Sequence, residues 1–386
     1  MKAWFVNRPG QQTWQILKNE THVCFNNKAC VGLFYCMNEK ESFAETVFAK
    51  RRRNYMQEFI QGAALPLVVL LLIVGFFLLI KGADCFVEGS SSIAKRLKVP
   101  SIIIGLTIVA MGTSLPETAV SVTASMVNNN ALAISNVIGS NIFNLMFVIG
   151  VCSILTPIAV QRDTVVRDIP LSVICALLLA GLGVLAIGDK EPYVLGHLDG
   201  VIFLALFACY IVMMIRSARK ARAEGKEVTI EGEEELKVLS YPKSILFIAG
   251  GAIAIAAGGD LTVDTASRIA IELGMSQTLV GLTIVSIGTS LPELVTSIVA
   301  ARKDEVDMAV GNAVGSNIFN ILMVLGIASA INPISILTEN LVDIMILVGF
   351  SVLVWAFAAT KRKITRKEGI AMVGLYLVYA VYIILR

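Results

Sequence analysis

Charge is scarce in this chain: Asp, Glu, Lys and Arg make up 16% of its 386 residues, where a soluble domain carries about 25%. A water-soluble enzyme of ordinary composition is thereby excluded. There is no surplus of one sign either, since 32 Lys and Arg against 29 Asp and Glu leave a net charge of +3. Nucleic acid is excluded as a default partner, because no basic face exceeds what the flanks of membrane segments carry. Histidine occurs only as His22 and His197. An intramembrane hydrolase would therefore lack its base, and zinc or copper would lack a ligand cluster. Seven cysteines form neither a CxxC pair nor a disulfide framework. Cys24, Cys30 and Cys36 are spaced by six, which fits no zinc knuckle, and the other four fall in or beside apolar runs, where Cys behaves as a small hydrophobe.

Apolar length is what the chain has in abundance. Ten segments lie at about 64–83, 99–126, 131–155, 169–188, 198–216, 243–260, 277–301, 306–330, 338–358 and 369–385. Each is long enough to cross a bilayer, so the expected fold is an all-α membrane protein of ten transmembrane helices. The second, third, seventh and eighth segments hold Gly, Ser, Asn or Pro at their centres. Irregular backbone survives at that depth only where it lines a cavity or is buried in protein. Lys and Arg gather in alternate connections: Lys95, Arg96 and Lys98; Arg162 and Arg167; Arg216 to Lys226; Arg302 and Lys303; and Lys361 to Lys367. The intervening connections hold Lys190, Arg268 and little else. The first set is therefore expected on the cytoplasmic side of a bacterial or archaeal plasma membrane, with both ends of the ten-helix unit outside.

Residues 1–55 break this scheme, because Arg51, Arg52 and Arg53 would lie outside, next to the first span, with no signal-peptide core before them. Met56 stands immediately before that span, and the native chain is expected to start there, with 1–55 an upstream extension. Mass spectrometry of purified native protein is then expected to find no peptide covering Gln11 to Lys18.

One internal offset dominates, 176 residues. Over 105–126 against 281–302, thirteen of twenty-two positions are identical, including Gly112-Thr-Ser-Leu-Pro-Glu117 and Gly288-Thr-Ser-Leu-Pro-Glu293. Over 136–150 against 312–326, nine of fifteen match, around Gly139-Ser-Asn-Ile-Phe-Asn144 and Gly315-Ser-Asn-Ile-Phe-Asn320. Five spans separate equivalent points, an odd number, so the halves 56–216 and 243–386 are expected to be inverted five-helix repeats joined by a short cytoplasmic loop, 217–242. Such repeats place a substrate site near mid-membrane, between broken helices.

The repeated residues suit a hard cation. Pro116 and Pro292 free the carbonyls of Gly112 and Gly288, where the helices are expected to bend. Thr113 and Glu117 share a helical face, as do Ser140 and Asn144, and their counterparts are Thr289 with Glu293 and Ser316 with Asn320. Carboxylate, hydroxyl, amide and carbonyl oxygens fit Ca²⁺ and Na⁺. Neither glutamate has a Lys or Arg within a turn or two on its own span. Their charge must then be balanced by one divalent cation, by monovalent cations or by protons, and competition among these is the basis of antiport. The Gly-Ser pairs also suit close helix packing. Asn141 and Asn317 are expected to bond the broken backbone, and Asp84 and Asp260 to sit at span ends.

At these two motifs the sequence resembles the cation/Ca²⁺ exchanger superfamily, with the short central loop of compact prokaryotic sodium/calcium exchanger-like members. The resemblance covers about 56–386 and implies a ten-helix inverted-repeat fold with cation sites at mid-membrane. By motif position it implies ligands Thr113, Ser114, Glu117, Ser140 and Asn144 from the first repeat and Thr289, Ser290, Glu293, Ser316 and Asn320 from the second, with the carbonyls of Ala110 and Ser286. It further implies gating by sliding of the first and sixth helices. Asn320 stands where some members carry Asp, which weakens the case for K⁺ co-transport. Ser135 stands opposite Gly311, with no functional consequence assigned. The expected activity is Ca²⁺ exchange for Na⁺ by alternating access, by a protein that is not an enzyme, uses no cofactor and works as a monomer among membrane lipid. A Ca²⁺/H⁺ antiporter on the same carboxylates is the alternative, and a cation channel a remoter one.

Overall fold

The structure, a computed structural model, describes residues 59–126, 130–185, 194–223, 238–275 and 286–385. The extension 1–55, most of the central loop and the first part of the seventh segment lie outside these residues. The chain divides into two units, 1–62 and 63–386, and the second holds all that follows.

That unit is almost wholly helical. Its helices are α1 (Leu65–Leu97), α2 (Ser101–Thr113), α3 (Leu115–Met126), α4 (Leu132–Leu155), α5 (Thr164–Leu182) and α6 (His197–Ala223). After the central loop come α7 (Tyr241–Glu272), α8 (Leu291–Arg302), α9 (Val306–Ile331), α10 (Thr338–Lys361) and α11 (Arg366–Leu385). Among the described residues, eight are long and apolar enough to cross a membrane, or nine spans if α2 and α3 count as one, bent by 49°. Helices α4 and α9 form the centre, with 78% of their apolar windows buried against 22% to 44% in the other long helices. Outer helices turn Leu70, Ile73 and Phe77 of α1, Ile253 of α7 and Val378 of α11 outward, the apolar exposure that lipid demands.

Helices α1 and α7, of 33 and 32 residues, run on past Asp84 and Asp260. Two expectations about local structure are corrected. The bend falls at Ser114, not Gly112, because Pro116 at the second position of α3 needs no amide donor there while Ser114 takes up the irregular backbone. The third and eighth segments are not broken. They stay helical through wide turns of π type at Phe143–Val148 and Asn320–Val324, which absorb the irregularity without exposing backbone.

Two small antiparallel strand pairs tie loops together: β1 (Ile158–Ala159) with β4 (Lys363–Ile364), and β2 (Val194–Leu195) with β3 (Ile334–Ser335). The first pair joins two Lys- and Arg-rich connections, the second two connections of the opposite set. Other polar contacts respect the same division. Lys303 Nζ reaches Asp84 Oδ1 at 3.4 Å and donates to the Asp84 carbonyl at 3.0 Å, Ser91 donates to Glu305, and Arg96 Nε donates to the Leu239 carbonyl at 2.5 Å. At the other end, Asn332 Nδ2 donates to the Ser125 carbonyl at 3.1 Å.

Helices α1 and α7 pack antiparallel along glycines spaced by seven. Gly75, Gly82 and Gly89 face Gly258, Gly251 and Ser244 in turn. A Cβ on Gly251 would stand 2.7 Å from both the Gly82 carbonyl and the Phe86 amide, and one on Gly258 2.7 Å from the Leu79 amide. The seven-residue period keeps one seam in register, and small residues let two backbones touch. Gly311 is needed for a similar reason, since a Cβ there would lie 2.6 Å from the Ile102 carbonyl, whereas Ser135 accepts a bond from Asn340 Nδ2 at 3.1 Å. Gly251→Val and Gly258→Val should each lower the melting temperature of the purified protein by several degrees, an overpacking cost of about 1–3 kcal/mol. Gly250→Val, with nothing within 4 Å of its Cβ, should leave it unchanged in the same thermal scan.

Candidate cation site

The site is built around two backbone irregularities that repeat at the offset of 176. Ser114 (φ −84°, ψ 11°) and Ser290 (φ −95°, ψ 6°) occupy the same sparsely populated bridge conformation between two helical pieces. Each break starts a new helix three residues before its glutamate, so Glu117 and Glu293 lie in first turns, near amide groups that favour negative charge.

The halves then interlock. Ser114 Oγ donates to Glu293 Oε1 at 2.9 Å, and Ser290 Oγ donates to Glu117 Oε1 at 3.0 Å. Ser140 Oγ lies 3.5 Å from Glu117 Oε1 and 2.9 Å from Ser290 Oγ. On the other side Ser316 Oγ reaches the Ala110 carbonyl at 3.5 Å. Asn141 Nδ2 donates to the Asn317 carbonyl at 3.3 Å, and Asn317 Nδ2 returns the bond to the Asn141 carbonyl at 3.0 Å, so these asparagines bond each other's backbone across the two halves, in helices that are not broken. Asn320 Nδ2 donates to Asn141 Oδ1 at 3.1 Å.

Several polar atoms of the site are left unused. Both glutamates are fully buried, and among the described residues no Lys, Arg or His pairs with either. Glu117 Oε2, Glu293 Oε2, both side-chain polar atoms of Asn144 and Asn320 Oδ1 are buried with no hydrogen-bond partner among the described residues. A buried polar atom left unpaired costs about 1–3 kcal/mol, and more when charged. Four of these atoms, Glu117 Oε2 with Glu293 Oε2 and Asn144 Oδ1 with Asn320 Oδ1, are oxygens at equivalent positions of the two halves, a set that fits a hard cation of the Ca²⁺ or Na⁺ kind.

Of the residues singled out from the sequence, Ser114, Ser290, Glu117, Glu293 and Ser140 come together directly, as do Ser316 and the Ala110 carbonyl. Thr113 and Thr289 bond asparagines of the opposite half. Asn144 and Asn320 sit in the wide turns. The side chain of Ser286 lies outside the described residues. Missed by motif reasoning were Asn136 and Asn312, which bond those threonines. Their signal was present, because each opens the second repeated element.

An apolar helical bundle closing on two unpaired carboxylates and a ring of neutral oxygens defines a membrane transporter of cations, not an enzyme. The family model described as sodium/calcium exchanger protein matches residues 67–216 and 243–385, and the chain belongs to that family. It is 31% identical over 345 residues to the sodium/calcium exchanger MaX1 of Methanosarcina acetivorans, covering 81% of this chain and 97% of that protein. It is 43% identical over 263 residues to a protein named CaxA from Alkalimonas amylolytica, covering 68% and 80%. A solved structure of the sodium-calcium exchanger NCX_Mj, soaked with 10 mM Na⁺ and zero Ca²⁺, is similar with a TM-score of 0.69 at 32% identity, over 82% of this chain and 98% of that one.

The serine hydroxyls on the carboxylates should matter to cation binding. Ser290→Ala removes the donor to Glu117, a charge-assisted bond worth about 1.5–3 kcal/mol. Ca²⁺ affinity measured by calorimetry should fall at least about tenfold, with the helical content by circular dichroism unchanged.

Proposed function

We propose that this protein is a secondary antiporter that exchanges Ca²⁺ for Na⁺ by alternating access, with Glu117 and Glu293 as central ligands. The observation that carries the reading is the pair of buried carboxylates, each with one oxygen bonded to the serine of the opposite half and the other unpartnered. The further ligands are Thr113, Ser114, Ser140, Asn144, Thr289, Ser290, Ser316 and Asn320, with the carbonyls of Ala110 and Ser286. All are oxygen donors, and no cofactor enters the cycle.

The architecture proposed with this activity is ten helices in two inverted halves, 56–216 and 243–386, joined by the cytoplasmic loop 217–242. The reciprocity of the serine–glutamate and asparagine–carbonyl bonds supports it, since the pseudo-two-fold axis of such a repeat would relate each contact to its partner. The Lys- and Arg-rich connections set the orientation in a prokaryotic plasma membrane, where one chain suffices for transport.

The mechanism follows from charge. An empty site holds two negative carboxylates in a low-dielectric interior, which makes the crossing between open states costly. One Ca²⁺ or a set of Na⁺ ions cancels that charge, so only the loaded site changes sides. The exchange is obligatory for that reason. Helices α1 and α7, joined along their glycine seam, are the body that moves across the site.

Radiolabelled Ca²⁺ uptake into Na⁺-loaded proteoliposomes tests this. Wild-type protein should accumulate Ca²⁺ down an outward Na⁺ gradient, and Glu117→Gln and Glu293→Gln should each reduce uptake to background. Uptake driven by a proton gradient alone would move the protein to Ca²⁺/H⁺ exchange on the same carboxylates.

A further inference from the structure

Building on the exchanger reading, we infer that Asn136 and Asn312 are positioning residues of the cation site, each aiming a threonine hydroxyl of the opposite half. The geometry is reciprocal. Asn312 Nδ2 donates to Ser297 Oγ at 2.9 Å and to the Glu293 carbonyl at 3.3 Å. Asn136 Nδ2 donates to Ser121 Oγ at 3.0 Å and to the Glu117 carbonyl at 3.4 Å. With its nitrogen so occupied, each amide turns its oxygen to the other half. Thr113 Oγ1 donates to Asn312 Oδ1 at 3.0 Å, and Thr289 Oγ1 donates to Asn136 Oδ1 at 3.3 Å. Each asparagine thus ties the helix of one glutamate to the break before the other.

The consequence is chemical. A hydroxyl has one proton and two lone pairs, and a cation is held by lone pairs, so the proton must be accepted elsewhere. For Thr113 the competing acceptors are carbonyls of its own helix, Val109 at 3.2 Å and Ala110 at 3.4 Å. The Ala110 carbonyl is itself a proposed ligand. Asn312 Oδ1, the nearest of the three, draws the proton away, so that the Thr113 lone pairs stay open to the ion and the Ala110 oxygen, which accepts from the Ser114 amide at 3.1 Å and has Ser316 Oγ at 3.5 Å, takes no further donor. Without Asn312 the hydroxyl returns to its helix carbonyls, the ordinary habit of helical threonine, and caps an oxygen the ion needs. Aspartate cannot substitute. It would accept the threonine proton, but it could not donate to Ser297, and it would add a third negative charge beside two unpaired carboxylates.

The two asparagines differ in exposure. Asn312 and Thr113 are fully buried, whereas Asn136 and Thr289 are half-buried. The buried pair is therefore the stronger lever, because its alternative hydrogen bonds exclude water.

The test is a mutant cycle read in Ca²⁺ uptake kinetics on Na⁺-loaded proteoliposomes, with wild type, Asn312→Ala, Thr113→Val and the double variant. Asn312→Ala should raise the KM for Ca²⁺ roughly five- to tenfold, the worth of one net hydrogen bond, with the maximal rate per folded transporter retained. Thr113→Val should raise KM as well, and adding Asn312→Ala to it should raise KM no further. Effects that add, or a lower maximal rate with unchanged KM, would overturn the inference, because an asparagine that merely braces the fold acts independently of the threonine. If Asn312→Ala fails to fold, Asn136→Ala against Thr289→Val carries the same cycle. If wild-type protein moves no Ca²⁺ under a Na⁺ gradient, the exchanger reading fails instead, and the cycle is then read in Ca²⁺ binding to the detergent-solubilised protein, where the same non-additivity is required.

Discussion

Two carboxylates stand buried at the centre of this protein, and among the described residues no basic side chain neutralises them. Most of the surrounding structure is a response to that. Burial of an unpaired charge in a membrane interior costs several kcal/mol, and two like charges compound the cost. The chain offsets part of it with hydroxyl donors from Ser114 and Ser290 and with the first-turn amides of α3 and α8. It leaves one oxygen of each glutamate without a partner. On the proposed reading the transported ion completes the site, and binding and movement are then governed by the same electrostatic demand.

Neither half can build the site alone. Each glutamate is held by the serine at the other half's helix break, each threonine is bonded by the other half's asparagine, and Asn141 and Asn317 exchange backbone bonds across the same axis. Such reciprocity gives the centre a stiffness that the breaks would otherwise forfeit. Ser114 and Ser290 hold sparsely populated backbone angles, and a conformation of that kind persists only where its surroundings over-determine it. Glycine seams serve the same end from outside. By letting α1 meet α7, and α9 meet α2, at backbone distance, they bring carbonyls and short hydroxyls close enough to act as ligands.

Much of this was legible in the residues. The apolar runs gave the helices, the repeat gave the pairing of sites, and the absence of basic neighbours gave the need for a cation. Errors fell where local pattern and tertiary demand part company. A bend was expected at Gly112 because glycine bends freely, yet it falls at Ser114, just before the turn that Pro116 opens. The Gly-Ser-Asn elements looked like breaks, but neighbours on every side let them remain helical with one wide turn each. Asn136 and Asn312 carry no mark of their role along the chain, because the threonines they bond lie 153 and 199 residues away.

The sequence by itself determined the membrane class, the repeated pair of oxygen-rich motifs and the two glutamates without basic neighbours on their own spans. These follow from composition, from spacing along a helix and from the cost of charge in lipid, which are local properties of the chain. Only the tertiary structure decided which serine serves which glutamate, where the helices bend and which asparagines aim the threonines. Those are choices among partners far apart in sequence, and a repeat that supplies two copies of every donor and acceptor leaves the pairing between halves open until the halves are packed together.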